Sequence, residues 1–242
     1  MEYLKIRRTK NQVRADGSRF AVPLLVSKTK KYGKVTSEQV ISKKKPILVT
    51  GAHDSGKTRW LTRLHEHATE IWGAKIKATP IFLDTLSPVG EWHDNPAISE
   101  WWDEEQKKIP LDEREPWKKL KQYARSNALV DYCKAKKPVL FIDDAHKLTG
   151  RKLQIARQCA MATRLTVVAT SEEQRLPPNL RPVLLRRDPQ IFRLDSEVAY
   201  DATHILMWFL LICCLAIGWW EAALVIGGLK ALGTGRRASR AD

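Results

Sequence analysis

The chain has 242 residues, with 42 Lys/Arg against 27 Asp/Glu for a net charge of +15, and 43% of its residues are hydrophobic. That hydrophobic share allows a packed globular core, and the length allows one ordinary domain with additions but not several large ones. Four cysteines, Cys133, Cys159, Cys213 and Cys214, form no C-x-x-C pair, which argues against a disulfide framework or a zinc site and for a reducing compartment.

The excess charge is concentrated at the start. Residues 1–45 hold 13 Lys/Arg against the acids Glu2, Asp16 and Glu38. This reads as a basic N-terminal arm that favours an anionic partner, either nucleic acid or the anionic face of a membrane. Within it, DGSRFAVPLLV allows a hairpin turning at Asp16 and Gly17, while SKTKKYGKV and SKKKP read as basic linkers. MEYLKIRRTK has no apolar core behind its charges, so no signal peptide is expected and the following domain is expected in the cytosol.

From Pro46 the pattern becomes strand alternating with helix. Strands are predicted at ILVT (47–50), TPIFLDT (79–85), KPVLFIDD (137–144), RLTVVATS (164–171) and QIFRL (190–194). After the first, Leu61, Leu64, Ala68 and Ile71 recur at three- and four-residue spacing, which makes one apolar helix face, and Gly73 ends it. A further helix is predicted over about 151–162. Strands separated by helices imply a three-layer α/β domain with a parallel sheet over 46–195. Residues 91–117 interrupt the rhythm with nine acids, four tryptophans and prolines at 96, 110 and 116. This acidic, Trp-rich insertion reads either as packing, through Trp101 and Trp102, or as a partner-binding surface or flap folded on the basic arm.

Gly51-Ala52-His53-Asp54-Ser55-Gly56-Lys57-Thr58 matches the phosphate-loop pattern G-x-x-x-x-G-K-[ST] in full. The glycines let the backbone curl so that successive N–H groups face phosphate oxygens, and the following helix adds the positive end of its dipole. Lys57 is expected to reach the β- and γ-phosphates of ATP, and Thr58 to present its hydroxyl to Mg²⁺. VLFIDDAH then ends an apolar strand in two carboxylates. Asp143 is the expected Mg²⁺ partner, and Asp144 the residue that orients or deprotonates the attacking water. His146 reads as a local polar contact, and His53 need not touch the nucleotide.

ILVTGAHDSGKT, VLFIDDAH and LTVVATS together resemble the Walker A, Walker B and sensor-1 strands of AAA+ ATPases, in the style of origin-recognition and transposition ATPases. The resemblance covers about residues 46–195. It implies that Thr170 or Ser171 senses the γ-phosphate. It also implies that Arg186 or Arg187, in PVLLRRDPQIFRL, acts as an arginine finger in a neighbouring subunit of a homo-oligomer; the same two arginines read equally as a basic patch near a membrane. The chain departs from the family in having Asp144 where Glu is usual, and in lacking the helical lid with its sensor-2 arginine.

Ile205 to Trp220 is a run of 16 residues without a charge, followed after Glu221 by AALVIGGLKALG. With Trp208, Trp219 and Trp220 at its ends, residues 204–232 read as a transmembrane or membrane-associated segment, and 233–242 as a basic tail. One span with the C-terminus outside is the favoured topology; a helical hairpin or a surface-lying second half are the others. The expectation is therefore a single-pass, membrane-anchored ATPase with its catalytic domain in the cytoplasm, acting on DNA or a protein–DNA complex. Alternatives are an assembly ATPase of the filamentous-phage type and a nucleotide-gated scaffold that recruits a protein partner through residues 91–117.

Overall fold

Residues that precede each strand are short, polar and often proline-terminated, and the strands themselves are apolar runs of four or five residues. In the computed structural model, which describes residues 2–13, 19–28, 35–73, 76–194, 209–210, 212–214 and 216–219, these runs build a parallel sheet. Its strands are β4 (Ile47–Gly51), β5 (Ile81–Asp84), β6 (Leu140–Asp143), β7 (Thr166–Thr170) and β8 (Gln190–Leu194), in the order β5-β6-β7-β4-β8. Every neighbouring pair is parallel. The order puts β7 between β4 and β6, so the end of β7 separates the glycine loop from the two carboxylates.

Side chains alternate across the sheet with period two. Leu48, Leu83, Leu140, Ile142 and Val168 face one apolar cluster. Ile47, Val49, Phe141, Val167, Ala169 and Phe192 face another. The first cluster is covered by α5 (Gln122–Lys136) and α6 (Gly150–Ala162). The second is covered by α1 (Lys57–Glu66) and α2 (Ala68–Trp72), which present the predicted Leu61, Leu64, Ala68 and Ile71. The predicted single helix breaks at His67, whose φ of −100° and ψ of 11° leave the helical region.

The N-terminal segment is not a loose arm, although SKKKP is an irregular connection as expected and residues 29–34 of SKTKKYGKV lie outside the described residues. It forms an antiparallel sheet of β1 (Glu2–Val13), β2 (Arg19–Lys28) and β3 (Val35–Val40), in that order. Leu4, Ala21, Leu25 and Ile41 are buried in the same cluster as α1 and α2. Arg63 of α1 donates to the Leu4 carbonyl at 3.1 Å, and Arg8 pairs with Glu70 of α2. Lys5 and Arg7 pair with Glu38, Lys45 with Asp188, and Lys43 donates to the Ala21 carbonyl. Much of the described positive charge of this segment is therefore neutralised inside the chain. The turn expected at Asp16 and Gly17 lies outside the described residues. A chain lacking residues 1–40 is expected to melt well below the full chain, since each fully buried Leu or Ile contributes about 1.5–3 kcal/mol; an unchanged melting temperature would restore the linker reading.

Residues 91–117 are mostly helical. α3 (Val89–His93) and α4 (Pro96–Gln106) carry Trp92 and Trp101 into the core, and Trp102 donates to the Glu115 carbonyl at 2.8 Å. Asn95 caps α4 by accepting from the Ala97 N–H. The tryptophans thus pack the domain, as the first of the two sequence readings has it. Among the described residues, the ion pairs of the basic segment go to Glu38, Glu70 and Asp188.

His93 in this insertion is 3% exposed, and neither ring nitrogen has a partner among the described residues. Burial, then the Arg125 guanidinium, hold its pKa below the ordinary 6.5, with Asp94 opposing. The unfolded chain then takes up a proton near pH 6.5 that the folded chain refuses. Stability from this group is present above that pH and lost as pH falls below it, at up to about 1.4 kcal/mol per pH unit. Thermal melts should show a lower midpoint at pH 5.5 than at 7.5, with a weaker dependence in His93→Phe.

The chain divides into two units at residues 196 and 197. In the second, Ile217 donates to the Cys213 carbonyl and Trp219 to that of Cys214, at 3.1 and 2.9 Å. No helix among the described residues is long and apolar enough to cross a membrane. Most of the segment 204–232, and all of 233–242, lie outside the described residues.

Candidate functional site

The glycine loop leaves β4 at its C-terminal end and returns into α1. Two positions need glycine for different reasons. A Cβ on Gly51 would sit 2.5 Å from the Leu194 carbonyl oxygen and 2.6 Å from Ser55 Oγ, so the loop could not lie this close to β8. Gly56, the residue before α1, has φ +83°, in the left-handed region. Asp54 also takes a positive φ of 61°. The result is a concave turn ending in the N-terminus of a helix, where N–H groups lack intrahelical partners.

Lys57 is 7% exposed and folds back over this turn. Its ammonium donates to the Gly51 carbonyl at 2.9 Å, the Ala52 carbonyl at 2.6 Å and Ser55 Oγ at 3.4 Å. Burial pushes its pKa below the ordinary lysine value, while Asp144 and Asp143 pull it back. Asp143, at the end of β6, is 5% exposed. Burial raises its pKa, opposed by hydrogen bonds from the Thr58 hydroxyl and from the Asp144 N–H at 2.9 Å.

The Thr58 hydroxyl thus lies close enough to the Asp143 carboxyl to lower its pKa. That donor set suits Mg²⁺. A hard cation takes oxygen ligands, and one carboxylate with one hydroxyl is the protein share expected when phosphate oxygens and water supply the rest. Among the described residues no cluster of three His, Cys, Asp or Glu forms a free-standing metal site.

Asp144 adopts φ 48° and ψ 42°, a left-handed conformation rare outside glycine that costs about 1–3 kcal/mol and concentrates at functional sites. It lines a cavity of about 860 Å³ together with Gly56, Lys57, Thr58 and Arg59. Its carboxylate accepts from Lys147 Nζ at 2.6 Å, a restraint that sequence reading missed because it depends on the left-handed turn. His53 and Asp54 are exposed, 3.0 Å apart, at the rim of the same cavity.

Thr170 ends β7 beside the loop but is fully buried, and its hydroxyl donates to the Glu172 carbonyl at 3.1 Å. The neighbouring Ser171 is the residue in contact with the loop, its carbonyl accepting from the Gly51 N–H at 3.1 Å. His146 Nδ1 accepts from the Ser171 N–H at 3.4 Å, a local polar contact as read from sequence. Arg187 donates to the carbonyls of Thr163 and Met161 at 2.5 and 3.1 Å, so its guanidinium closes the C-terminus of α6 and is not free to reach a neighbour. Arg186 is exposed. Both precede β8, at the edge of the sheet opposite the loop.

No family model matches the chain, and no curated protein matches it. Solved structures with which it aligns include a DNA replication initiation factor, at 15% identity and TM-score 0.36 over 70% of this chain and 45% of that one. Another is EccC (ATPases 2 and 3) from Thermomonospora curvata in complex with a signal sequence peptide, at 13% identity and TM-score 0.42 over 78% and 39%. A third is a putative ABC transporter ATP-binding protein from Pyrococcus furiosus, at 14% identity and TM-score 0.37 over 80% and 98%. The chain thus spans less than half the length of the first two. The P-loop NTPase fold rests on the strand order and on the loop itself.

Proposed function

We propose that the chain is an ATP-binding protein and a nucleoside-triphosphate hydrolase, held at the cytoplasmic face of a membrane and acting on DNA or a protein–DNA complex. The observation that carries the hydrolase reading is the convergence at one cavity of Lys57, Thr58 and Asp144, with Asp143 buried beside Thr58, whose hydroxyl lowers its pKa. Loop N–H groups that follow Gly51 and the Lys57 ammonium would bind the polyphosphate, and Thr58 and Asp143 would hold Mg²⁺, which supplies neutralisation of the phosphate charge. Asp144 would orient or deprotonate the attacking water.

The membrane part of the reading is supported by the uncharged run from 205 to 220. Deleting residues 204–242 should move the protein from the membrane pellet to the supernatant. Continued sedimentation with membranes would place the anchor in the folded domain or in self-association. A homo-oligomer completed by Arg186 belongs to the same proposal, with Arg187 already engaged within its own subunit.

A second reading, a nucleotide-gated scaffold with little turnover, is favoured by one specific feature. Lys147 holds Asp144, and Asp is shorter by one methylene than the Glu usual in the family it resembles. Steady-state ATP turnover of the detergent-purified full chain, with and without DNA and with Lys57→Ala as blank, separates the two. DNA-stimulated turnover supports the first; tight binding of ATP without turnover supports the second.

A further inference from the structure

In a parallel sheet every strand begins at the same edge, here the edge opposite the phosphate loop. Each of the five strands is entered through Lys or Arg: KKKP before β4, KIKATP before β5, KAKKP before β6, TR before β7 and RRDP before β8. Backbone and side-chain bonds show that these entries are physical neighbours. Ile81 N–H donates to the Val139 carbonyl, Leu140 N–H to that of Leu165, and Gln190 N–H to that of Pro46. Lys45 pairs with Asp188, and Arg187 bonds the Thr163 carbonyl. Lys77, Lys136, Lys137 and Arg164 line one cavity of about 640 Å³.

Charge on this edge is not consumed as it is in the N-terminal sheet. Lys44, Lys77, Lys136, Lys137, Arg164 and Arg186 are all exposed, and among the described residues none has a side-chain ion pair or hydrogen bond. Of the acids at this edge, Asp188 is paired with Lys45 and Asp131 with Lys134, while Glu100 and Glu104 line the same cavity without an ion pair to these cations. Five strands about 4.8 Å apart make this a rigid row roughly 19 Å long.

We propose that this edge of the sheet is a docking face for duplex DNA, read through its phosphate backbone and separate from both the nucleotide site and the N-terminal sheet. A fixed row of unpaired cations suits a regular, closely spaced polyanion. Single strands are bound largely by stacking bases on exposed aromatic rings. Here the two aromatic residues of the cavity, Trp101 and Tyr132, are 8% and 3% exposed, so they offer no stacking surface. An anionic membrane surface carries the same kind of charge, and vesicle binding is the outcome that separates the two.

The inference rests on the DNA part of the proposed function, but not on ATP hydrolysis. The test is fluorescence anisotropy of a labelled mixed-sequence duplex with the full chain in zwitterionic detergent, as a function of salt. The triple variant Lys77→Gln, Lys136→Gln, Arg164→Gln should bind roughly tenfold or more weakly at low salt. Its slope of log K against log salt should be flatter by about 2.7, near 0.9 for each phosphate no longer neutralised. The charge-keeping set Lys77→Arg, Lys136→Arg, Arg164→Lys should retain the slope, which rules out misfolding as the cause. Lys57→Ala should bind duplex with the slope of the unaltered chain even where ATP turnover is gone, so failure of the hydrolase reading and failure of this one are distinguishable. An unchanged slope in the triple variant overturns the proposal. So does a variant that keeps duplex binding but loses binding to phosphatidylserine vesicles, or one that loses only single-stranded oligonucleotide.

Discussion

Lys57→Ala is expected to abolish the rise in melting temperature that ATP and Mg²⁺ give the full chain. A ligand at a hundredfold its dissociation constant stabilises by about 2.7 kcal/mol. For a chain of this size that is roughly 5–10 °C. The Lys57 ammonium is the one cation inside the loop, bonded to the Gly51 and Ala52 carbonyls, so removing it takes away the charge that offsets a polyphosphate. Two effects compete in the variant without nucleotide. Loss of charge-assisted hydrogen bonds costs about 1.5–3 kcal/mol each, while relief of a buried, partly desolvated charge returns some of it. Burial already lowers the Lys57 pKa, which shows that the second effect is present. The unliganded variant should therefore melt within a few degrees of the original, and only the nucleotide shift should vanish. A retained shift would remove the phosphate-loop assignment. Lys57→Arg should not rescue it, since a planar fork cannot replace a compact ammonium bonded to two carbonyls within the turn.

The parallel sheet was legible because each strand is an apolar run bounded by turn residues, and the loop because its spacing constrains backbone geometry directly. The predicted strand at 190–194 matches β8 residue for residue, while those at 79–85 and 137–144 overreach by the flanking polar residues that become turns. The N-terminal sheet was hidden for a physical reason. All six residues of β3 are exposed, so that strand carries no burial pattern, and over residues 3–8 of β1 only Leu4 is buried, so that strand shows no alternation either. α5 escaped notice because its buried set, Ser126, Ala128, Leu129, Val130, Tyr132 and Cys133, spreads around the helix and does not follow one stripe. At the site, Asp143 and Thr58 were readable from motif and spacing. The tie of Arg187 to Thr163 was not, because it joins residues 24 apart that only the packing of α6 on β8's entry brings together.

Charge has two different fates in this chain, and sequence composition does not separate them. Lys5, Arg7, Arg8 and Lys45 find acids that arrive from other elements: the first two tie β1 to β3, Arg8 ties the sheet to α2, and Lys45 ties the start of β4 to that of β8. These pairs are largely exposed, so they add little stability and their role is mainly orientation. Among the described residues, Lys77, Lys136, Lys137 and Arg164 at the other strand entries have no such ion pair. A basic region is therefore best located by what stays unpaired after folding, not by the density of Lys and Arg along the chain.

Asp144→Asn and Lys147→Ala should change turnover in opposite directions. The amide keeps the size and the left-handed turn of Asp144, which Asn tolerates well, but cannot accept a proton. Nucleotide binding should persist while hydrolysis falls by about 10²–10⁴, the usual share of a general base. Lys147 holds the Asp144 carboxylate at 2.6 Å, yet its side chain is 40% exposed and that of Asp144 18%. A partly exposed pair of this kind is worth about 1 kcal/mol or less. If that energy is what keeps the carboxylate from the attacking water, freeing it speeds the step by no more than about fivefold. Single-turnover hydrolysis by Lys147→Ala should rise within that bound, with unchanged nucleotide affinity, and the double variant should be as slow as Asp144→Asn alone. A fall in rate with Lys147→Ala would mean the ammonium positions Asp144 for catalysis and does not restrain it. Normal hydrolysis in Asp144→Asn would move the water-orienting role to another group at the cavity.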